Sequence, residues 1–216
     1  MSQSHIYDSG NIPFSSPYQT LNQNANLLEN KVESVISKHC KSTKNLTESD
    51  NESKTLETES DIAIELSEYR AKNINKIVLA TLNINSIRNK FSSLAEIVSN
   101  NIDVLVIQET KLDATFPEGQ FLIPGFKKPF RRDRDKHGGG ILIYVRNDIP
   151  SREVKTFNIE GNTEGIFVEL NFRKSKWLLL AAYKPPDVSK LNCFDNITKA
   201  LDFHGNKYEN MILIGE

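Results

Sequence analysis

Residues 76–110 read KIVLATLNINSIRNKFSSLAEIVSNNIDVLVIQET, and this stretch decides the fold. Ile77, Val78, Leu79, Ala80 and Leu82 form a continuous apolar run rich in β-branched residues, as a strand buried on both faces requires. Phe91, Leu94, Ala95 and Val98 then recur at i, i+3, i+4 and i+7, which predicts an amphipathic helix. That helix should stop at Asn100-Asn101, residues that tolerate a left-handed cap. Asp103 to Gln108 is a second buried strand. Strand, helix and strand within about 33 residues imply a right-handed βαβ unit with parallel strands.

Downstream, Pro117, Gly119, Pro124, Gly125 and Pro129 mark residues 116–136 as loop, with a short strand expected at Gln120–Ile123. Gly139–Arg146, Gly165–Phe172 and Trp177–Tyr183 read as three strands joined by turns, an antiparallel meander. A helix is expected over Ser189–His204, with Leu191, Phe194, Ile197 and Leu201 on one face and Gly205 as its stop. Met211–Ile214 opens a final buried strand, and the class is α/β.

Upstream the chemistry changes. Residues 1–75 carry 7 Lys+Arg against 11 Asp+Glu, whereas residues 76–216 carry 20 against 17, so the formal charge of −1 conceals a boundary near Lys72–Lys76. Nine Asn, 12 Ser and 5 Thr in the first 75 residues leave too little apolar surface to offset chain entropy, so most of 1–75 is expected to be disordered. Two short helices are conceivable there. Leu21, Ala25, Leu28, Val32 and Val35 follow a heptad-like spacing that offers self-association through 21–38 or a transient helix, and Leu56, Ile62, Ala63, Leu66 and Tyr69 share one helical face. The domain division is therefore 1–75 and 76–216.

The longest apolar run, Trp177–Tyr183, has seven residues, against roughly 20 needed to span a bilayer, so no membrane segment is expected. The N-terminus has no secretory pattern, which points to an intracellular location. Cys40 and Cys193 are too few and too distant for a disulfide framework, and His39 beside Cys40 supplies only half of a zinc site.

Strand ends at the carboxyl edge of an α/β sheet are where ligand groups gather. The first strand ends in Asn83-Ile84-Asn85, two amides pointing alike, and the next parallel strand ends in Gln108-Glu109-Thr110. Asn and Glu oxygens suit a hard cation such as Mg²⁺. The competing reading is that Asn83 and Asn85 cap a turn and Glu109 solvates a loop. Lys127–Lys136 holds six basic residues against Asp133 and Asp135, and Arg131, Arg132, Arg134 and Lys136 are candidates for contacting nucleic-acid phosphates. A solvated loop leading into a strand is the alternative. Gly138–Gly140 lacks the spacing of a Walker or Rossmann loop.

Taken in order, Leu-Asn-Ile-Asn-Ser-Ile-Arg-Asn-Lys (82–90), Gln-Glu-Thr-Lys-Leu (108–112), Arg-Arg-Asp-Arg (131–134) before the glycine run, and Ala-Tyr-Lys-Pro-Pro (182–186) resemble the endonuclease/exonuclease/phosphatase family. The nearest likeness is to the apurinic-like endonuclease domain of animal non-LTR retrotransposons. The resemblance implies a four-layer α/β sandwich of two mixed sheets with helices outside, and Mg²⁺- or Mn²⁺-dependent phosphodiester hydrolysis. By motif, Glu109 matches the principal metal-ligand glutamate and Asn83 the asparagine that helps hold metal or phosphate. Asn85 stands where many relatives have an aspartate. Tyr183 matches the tyrosine whose phenol contacts the scissile phosphate. The implied catalytic residues are thus Tyr183, Glu109 and Asn83, the metal ligands Glu109, Asn83 and Asn85, and the partner duplex DNA, with the nucleus as a plausible site of action.

The departure is at the C-terminus. Where relatives continue as Gly-Asp-Phe-Asn, this sequence reads Ile214-Gly215-Glu216 and stops, so Glu216 is the only stand-in for the water-activating aspartate. The later Ser-Asp-His motif has no counterpart; His204 and His137 do not match it. The fold is accordingly expected to be incomplete, poorly soluble alone, and weak or inactive as a nicking DNA endonuclease. The alternatives are a catalytically dead remnant that binds nucleic acid or a protein, and a phosphatase or phosphodiesterase acting on a small-molecule or lipid phosphate. Continuation into a reverse transcriptase is compatible with the likeness.

Overall fold

The computed structural model describes residues 50–154, 163–205 and 207–215. The heptad-like segment at 21–38 and Glu216 lie outside these residues. Two four-stranded mixed sheets form the centre. The first holds β1 (Leu79–Asn83), β2 (Val104–Gln108), β3 (Phe130–Arg132) and β4 (Ile141–Val145) in the order β1-β2-β4-β3. The second holds β5 (Ser151–Glu153), β6 (Glu164–Phe172), β7 (Ser175–Tyr183) and β8 (Asn210–Gly215) in sequence order. Among the described residues three α-helices accompany them: α1 (Asp50–Lys72), α2 (Phe91–Val98) and α3 (Lys190–Gly205).

Alternation along the strands builds the layers, because successive side chains point to opposite faces. Val104 and Val106 of β2 and Ile141, Ile143 and Val145 of β4 pack with Ile166, Val168 and Leu170 of β6 and Leu179 and Ala181 of β7 between the sheets. The opposite parity, Leu105, Ile107, Leu142 and Tyr144, packs with Leu94 and Val98 of α2. On the far side Phe167, Leu178, Leu180 and Ala182 take Cys193, Ile197 and Ala200 of α3. The result is the expected layering of helix, sheet, sheet and helix. Each fully buried aliphatic side chain contributes about 1.5–3 kcal/mol to it.

The βαβ unit forms as read: β1 and β2 are parallel with Asn83 opposite Gln108, and Asn100 beyond α2 is left-handed at φ 64°. Several expectations need correction. The meander is broken, because β4 pairs with β2 and β3 in the first sheet while only β6 and β7 form a hairpin. Burial on both faces marks β4 as a central strand without naming its partner. Gln120–Ile123 is not a strand; a 3-10 turn covers Glu118–Phe121, and the buried Phe121 and Ile123 imitate strand alternation. β1 is only partly buried because it lies at the sheet edge among the described residues.

α3 is rotated from the stripe expected. Ile197 is buried and Leu201 packs partly, as read, but Leu191 and Phe194 are exposed, and Cys193, Ala200 and His204 are buried in their place. β8 is likewise not buried on both faces: Ile212 and Ile214 pack between the sheets, while Met211 and Leu213 are exposed at an edge strand.

Packing begins upstream of the compositional change at Lys76. Ile62 and Leu66 of α1 cluster with Ile97 of α2. Arg70 in the last turn of α1 grips the buried Asp103 at 2.7 and 3.0 Å. Among the described residues no helix is long and apolar enough to cross a membrane.

Candidate active site

β1, β2 and β7 all end at one edge of the sandwich, held there by links between the sheets. Gln108 Nε2 donates to the Ala182 carbonyl at 2.8 Å within the interior, and Arg132 Nη1 donates to the Gly165 carbonyl at 3.0 Å. Immediately beyond Gln108 the chain turns sharply, with Glu109 and Lys111 both left-handed at φ 53°. Backbone bonds fix this turn on two sides: Ser86 N–H donates to Glu109 O and Ile87 N–H to Thr110 O, while Thr110 and Lys111 donate to Gly140 and Gly139.

The turn presents the Glu109 carboxylate to the Tyr183 hydroxyl, which donates to Oε1 at 2.8 Å across 74 residues of sequence. Glu109 Oε2 accepts no hydrogen bond among the described residues. Burial, then the hydrogen bond to Glu109 and the negative charges of Glu109 and Glu164, push the Tyr183 phenol well above its ordinary range. Tyr183 therefore remains a proton donor at neutral pH.

Asn83 ends β1 opposite Gln108, the residue before Glu109, and its Oδ1 accepts the Asn85 N–H at 3.1 Å, as a turn-capping amide does. Asn85 itself is exposed, left-handed at φ 45°, and its Oδ1 accepts from Lys111 Nζ. A cation bound at Asn85 would have to displace that ammonium, so Asn85 is the poorest donor of the expected three. Glu109 and Asn83 supply hard oxygens at one edge, a donor set suited to Mg²⁺ or Mn²⁺ with water and phosphate completing the shell. Among the described residues no group of three or more His, Cys, Asp and Glu forms a metal cage.

The basic loop divides. Arg131 is turned inward, its guanidinium held by Asp133 at 2.6 and 2.7 Å and by the carbonyls of Phe116 and Asp113 at 3.0 Å each. Arg132 serves the inter-sheet bond to Gly165. Arg134 pairs with Glu164 at 3.4 Å, and Lys136 is exposed. Positive charge at the site comes instead from residues on the strand-end turns. Arg88 lies over the Phe116 ring at 4.7 Å and donates to the Lys111 carbonyl at 2.9 Å, and Lys90 and Lys111 flank Asn85.

Glu164, which the sequence reading passed over, is 6% exposed, and burial raises its pKa above the ordinary carboxylate value. A lone Glu in a Thr-Glu-Gly string looks like turn polarity. The only available signal was its place at the start of a strand that pairs with the tyrosine strand.

The sequence model of the endonuclease/exonuclease/phosphatase family matches residues 80–203, more than half of the chain. No curated protein matches the sequence. Similar solved structures include the endonuclease domain of TRAS1, a telomere-specific non-LTR retrotransposon, at 17% identity and TM-score 0.48, covering 65% of this chain and 58% of that one. The 3'-5' exonuclease NExo of Neisseria meningitidis aligns at 18% identity and TM-score 0.48, covering 63% and 56%. An AP endonuclease of Archaeoglobus fulgidus aligns at 18% identity and TM-score 0.46, covering 65% and 56%. The chain thus spans little more than half the length of these structures. With the family's sequence model running from β1 through most of α3, and two mixed sheets bringing Glu109 and Tyr183 together at one edge, the chain belongs to the endonuclease/exonuclease/phosphatase family.

Proposed function

We propose that this chain carries the phosphodiester-hydrolysing site of a metal-dependent DNA endonuclease of retrotransposon type, with Glu109, Asn83 and Tyr183 at its centre. The observation that carries the reading is the 2.8 Å bond from Tyr183 to Glu109, which joins two sheets at the edge where phosphate and cation would meet. A divalent cation such as Mg²⁺ or Mn²⁺, held by Glu109 with Asn83, would supply positive charge to a phosphate oxygen. Tyr183, kept protonated by its surroundings, donates its one hydroxyl hydrogen to the Glu109 carboxylate and orients it; with Glu109 engaged by a cation, that same hydrogen would turn to developing negative charge on the phosphate. Arg88, Lys90 and Lys111 make this edge attractive to a polyanion, and Arg134 and Lys136 extend the charge on the neighbouring loop. Duplex DNA is the partner on this reading, and the nucleus its compartment.

The test is nicking of supercoiled plasmid by the purified chain in Mg²⁺, Mn²⁺ and EDTA, with Glu109→Ala prepared alongside. Nicking that requires both the metal and Glu109 supports the proposal. Folded protein whose activity equals that of Glu109→Ala overturns it. Salt-sensitive DNA binding unaffected by that substitution would then favour a binding remnant.

A further inference from the structure

The carboxylate of Glu164 is placed where the inter-sheet core would otherwise take an aliphatic side chain. Its Cα pairs with Tyr183 in the β6–β7 ladder, and the residue is 6% exposed. Burying a carboxylate is unfavourable unless hydrogen bonds compensate, and here Oε2 accepts the Gly140 N–H at 2.7 Å while Oε1 faces Arg134 Nη1 at 3.4 Å.

The glycines make this approach possible. Gly139 and Gly140 have φ of +68° and +89°, conformations that side chains rarely adopt. A Cβ on Gly139 would collide with the Glu164 carboxylate, and one on Gly140 would collide with Thr110 Oγ1. The same two glycines hold the turn after β2: Gly140 O accepts from Thr110 N at 3.2 Å, and Gly139 O from Lys111 N at 3.0 Å. That turn needs holding, because Glu109 and Lys111 are non-glycine residues at positive φ, a strain that persists only where the surroundings fix it.

We infer that Glu164 is a positioning residue: through the Gly140 peptide it fixes the left-handed turn that aims Glu109 at Tyr183, so one backbone pair of the second sheet sets both halves of the contact. The metal arm of its test rests on the function proposed above; the amide arm does not. A contact of this kind acts on the site without touching the reacting atoms, as partners behind metal-binding side chains do, and removing such partners lowers metal affinity about 10–100-fold.

The experiment uses the full chain with Glu164→Ala and Glu164→Gln, read by amide hydrogen exchange and by Mn²⁺ titration. In Glu164→Ala, exchange at Gly140, Thr110 and Lys111 should accelerate at least about tenfold while Leu179 and Leu180 in β7 keep their protection, and Mn²⁺ affinity should fall about tenfold or more. Glu164→Gln retains an acceptor for Gly140 and should restore most of both. A merely structural role would instead lower protection in β7 together with the turn, and that result overturns the inference. Equal behaviour of the Ala and Gln variants, or Ala values within about twofold of wild type in the turn, also overturns it. Should Glu164→Ala fail to fold, Glu164→Asp, which withdraws the carboxylate by one methylene, carries the same readouts. If wild type binds no Mn²⁺, the proposed function is wrong and the amide exchange still decides the role of Glu164.

Discussion

Replacing Asp103 tests whether α1 is part of the folded unit. Asp103 is fully buried; its carboxylate accepts Arg70 at 2.7 and 3.0 Å, the Val78 N–H at 2.7 Å, and lies 2.6 Å from Arg146 Nη1. Alanine there strands the Val78 N–H, which costs about 1–3 kcal/mol. It also leaves the Arg70 guanidinium without its anion, a loss reaching roughly 3–5 kcal/mol for wholly buried pairs, whereas Arg146 keeps Asp148 at 2.5 and 2.7 Å. The arginine side chains are 16% and 33% exposed, so water screens part of that loss. The expected total is about 3 kcal/mol, which at a urea slope of about 2 kcal/mol per molar lowers the unfolding midpoint by about 1.5 M. Arg70→Ala leaves Arg146 and Val78 on Asp103 and should lower the midpoint by only about 0.5–1 M. Far-UV circular dichroism in urea on wild type, both single variants and the double variant closes a cycle with a coupling of about 1 kcal/mol. Strict additivity, or an Arg70→Ala midpoint equal to wild type, would refute the claim that α1 is clamped onto the sandwich.

Three further expectations follow from the geometry. Tyr183→Phe removes the hydroxyl that Glu109 accepts; if the proposed function holds, nicking should fall about 100-fold with little change in thermal stability, checked by plasmid assay and thermal melt. Glu169 is held by Arg152 at 2.7 Å and by Tyr208 at 2.8 Å, with the bond to Arg152 the larger cause, and its pKa is lowered from the ordinary 4.5 to about 2. Its contribution to stability is therefore complete above pH 4.5 and lost as pH falls toward 2, and Glu169→Gln should flatten that part of an acid unfolding curve. Ile97→Ala empties the contact between α1 and α2 formed with Ile62 and Leu66 and should cost about 2–4 kcal/mol by urea unfolding.

Much of the architecture was legible because burial parity is a local property. The apolar run before Asn83, the helical spacing from Phe91 to Val98 and the run Val104–Ile107 each announce their element without reference to anything distant. Strand partnership is not local. Ile141–Val145 looks the same whether it neighbours β6 or β2, and only stacking of the two sheets placed it beside β2. α3 shows the same limit, since the apolar spacing includes Leu191 and Phe194, while contact with β6 and β7 keeps Ile197 from that stripe and takes Cys193 and Ala200 instead. Arg131 read as a free cation, and its fate depended on carbonyls of Phe116 and Asp113, which local pattern does not bring near.

The sequence by itself determined where the longer strands and the helices α2 and α3 lie, though not β3, β5 or the 3-10 turn at Glu118–Phe121; it also determined which strand ends carry Asn83, Glu109 and Tyr183 and, through ordered motifs, the family. Tertiary structure alone decided that Tyr183 reaches Glu109, that Lys111 occupies Asn85, and that Glu164 supports the turn from the other sheet. The physical reason is that apolar periodicity records how much water each residue loses, whereas a site depends on which surfaces lose it against one another.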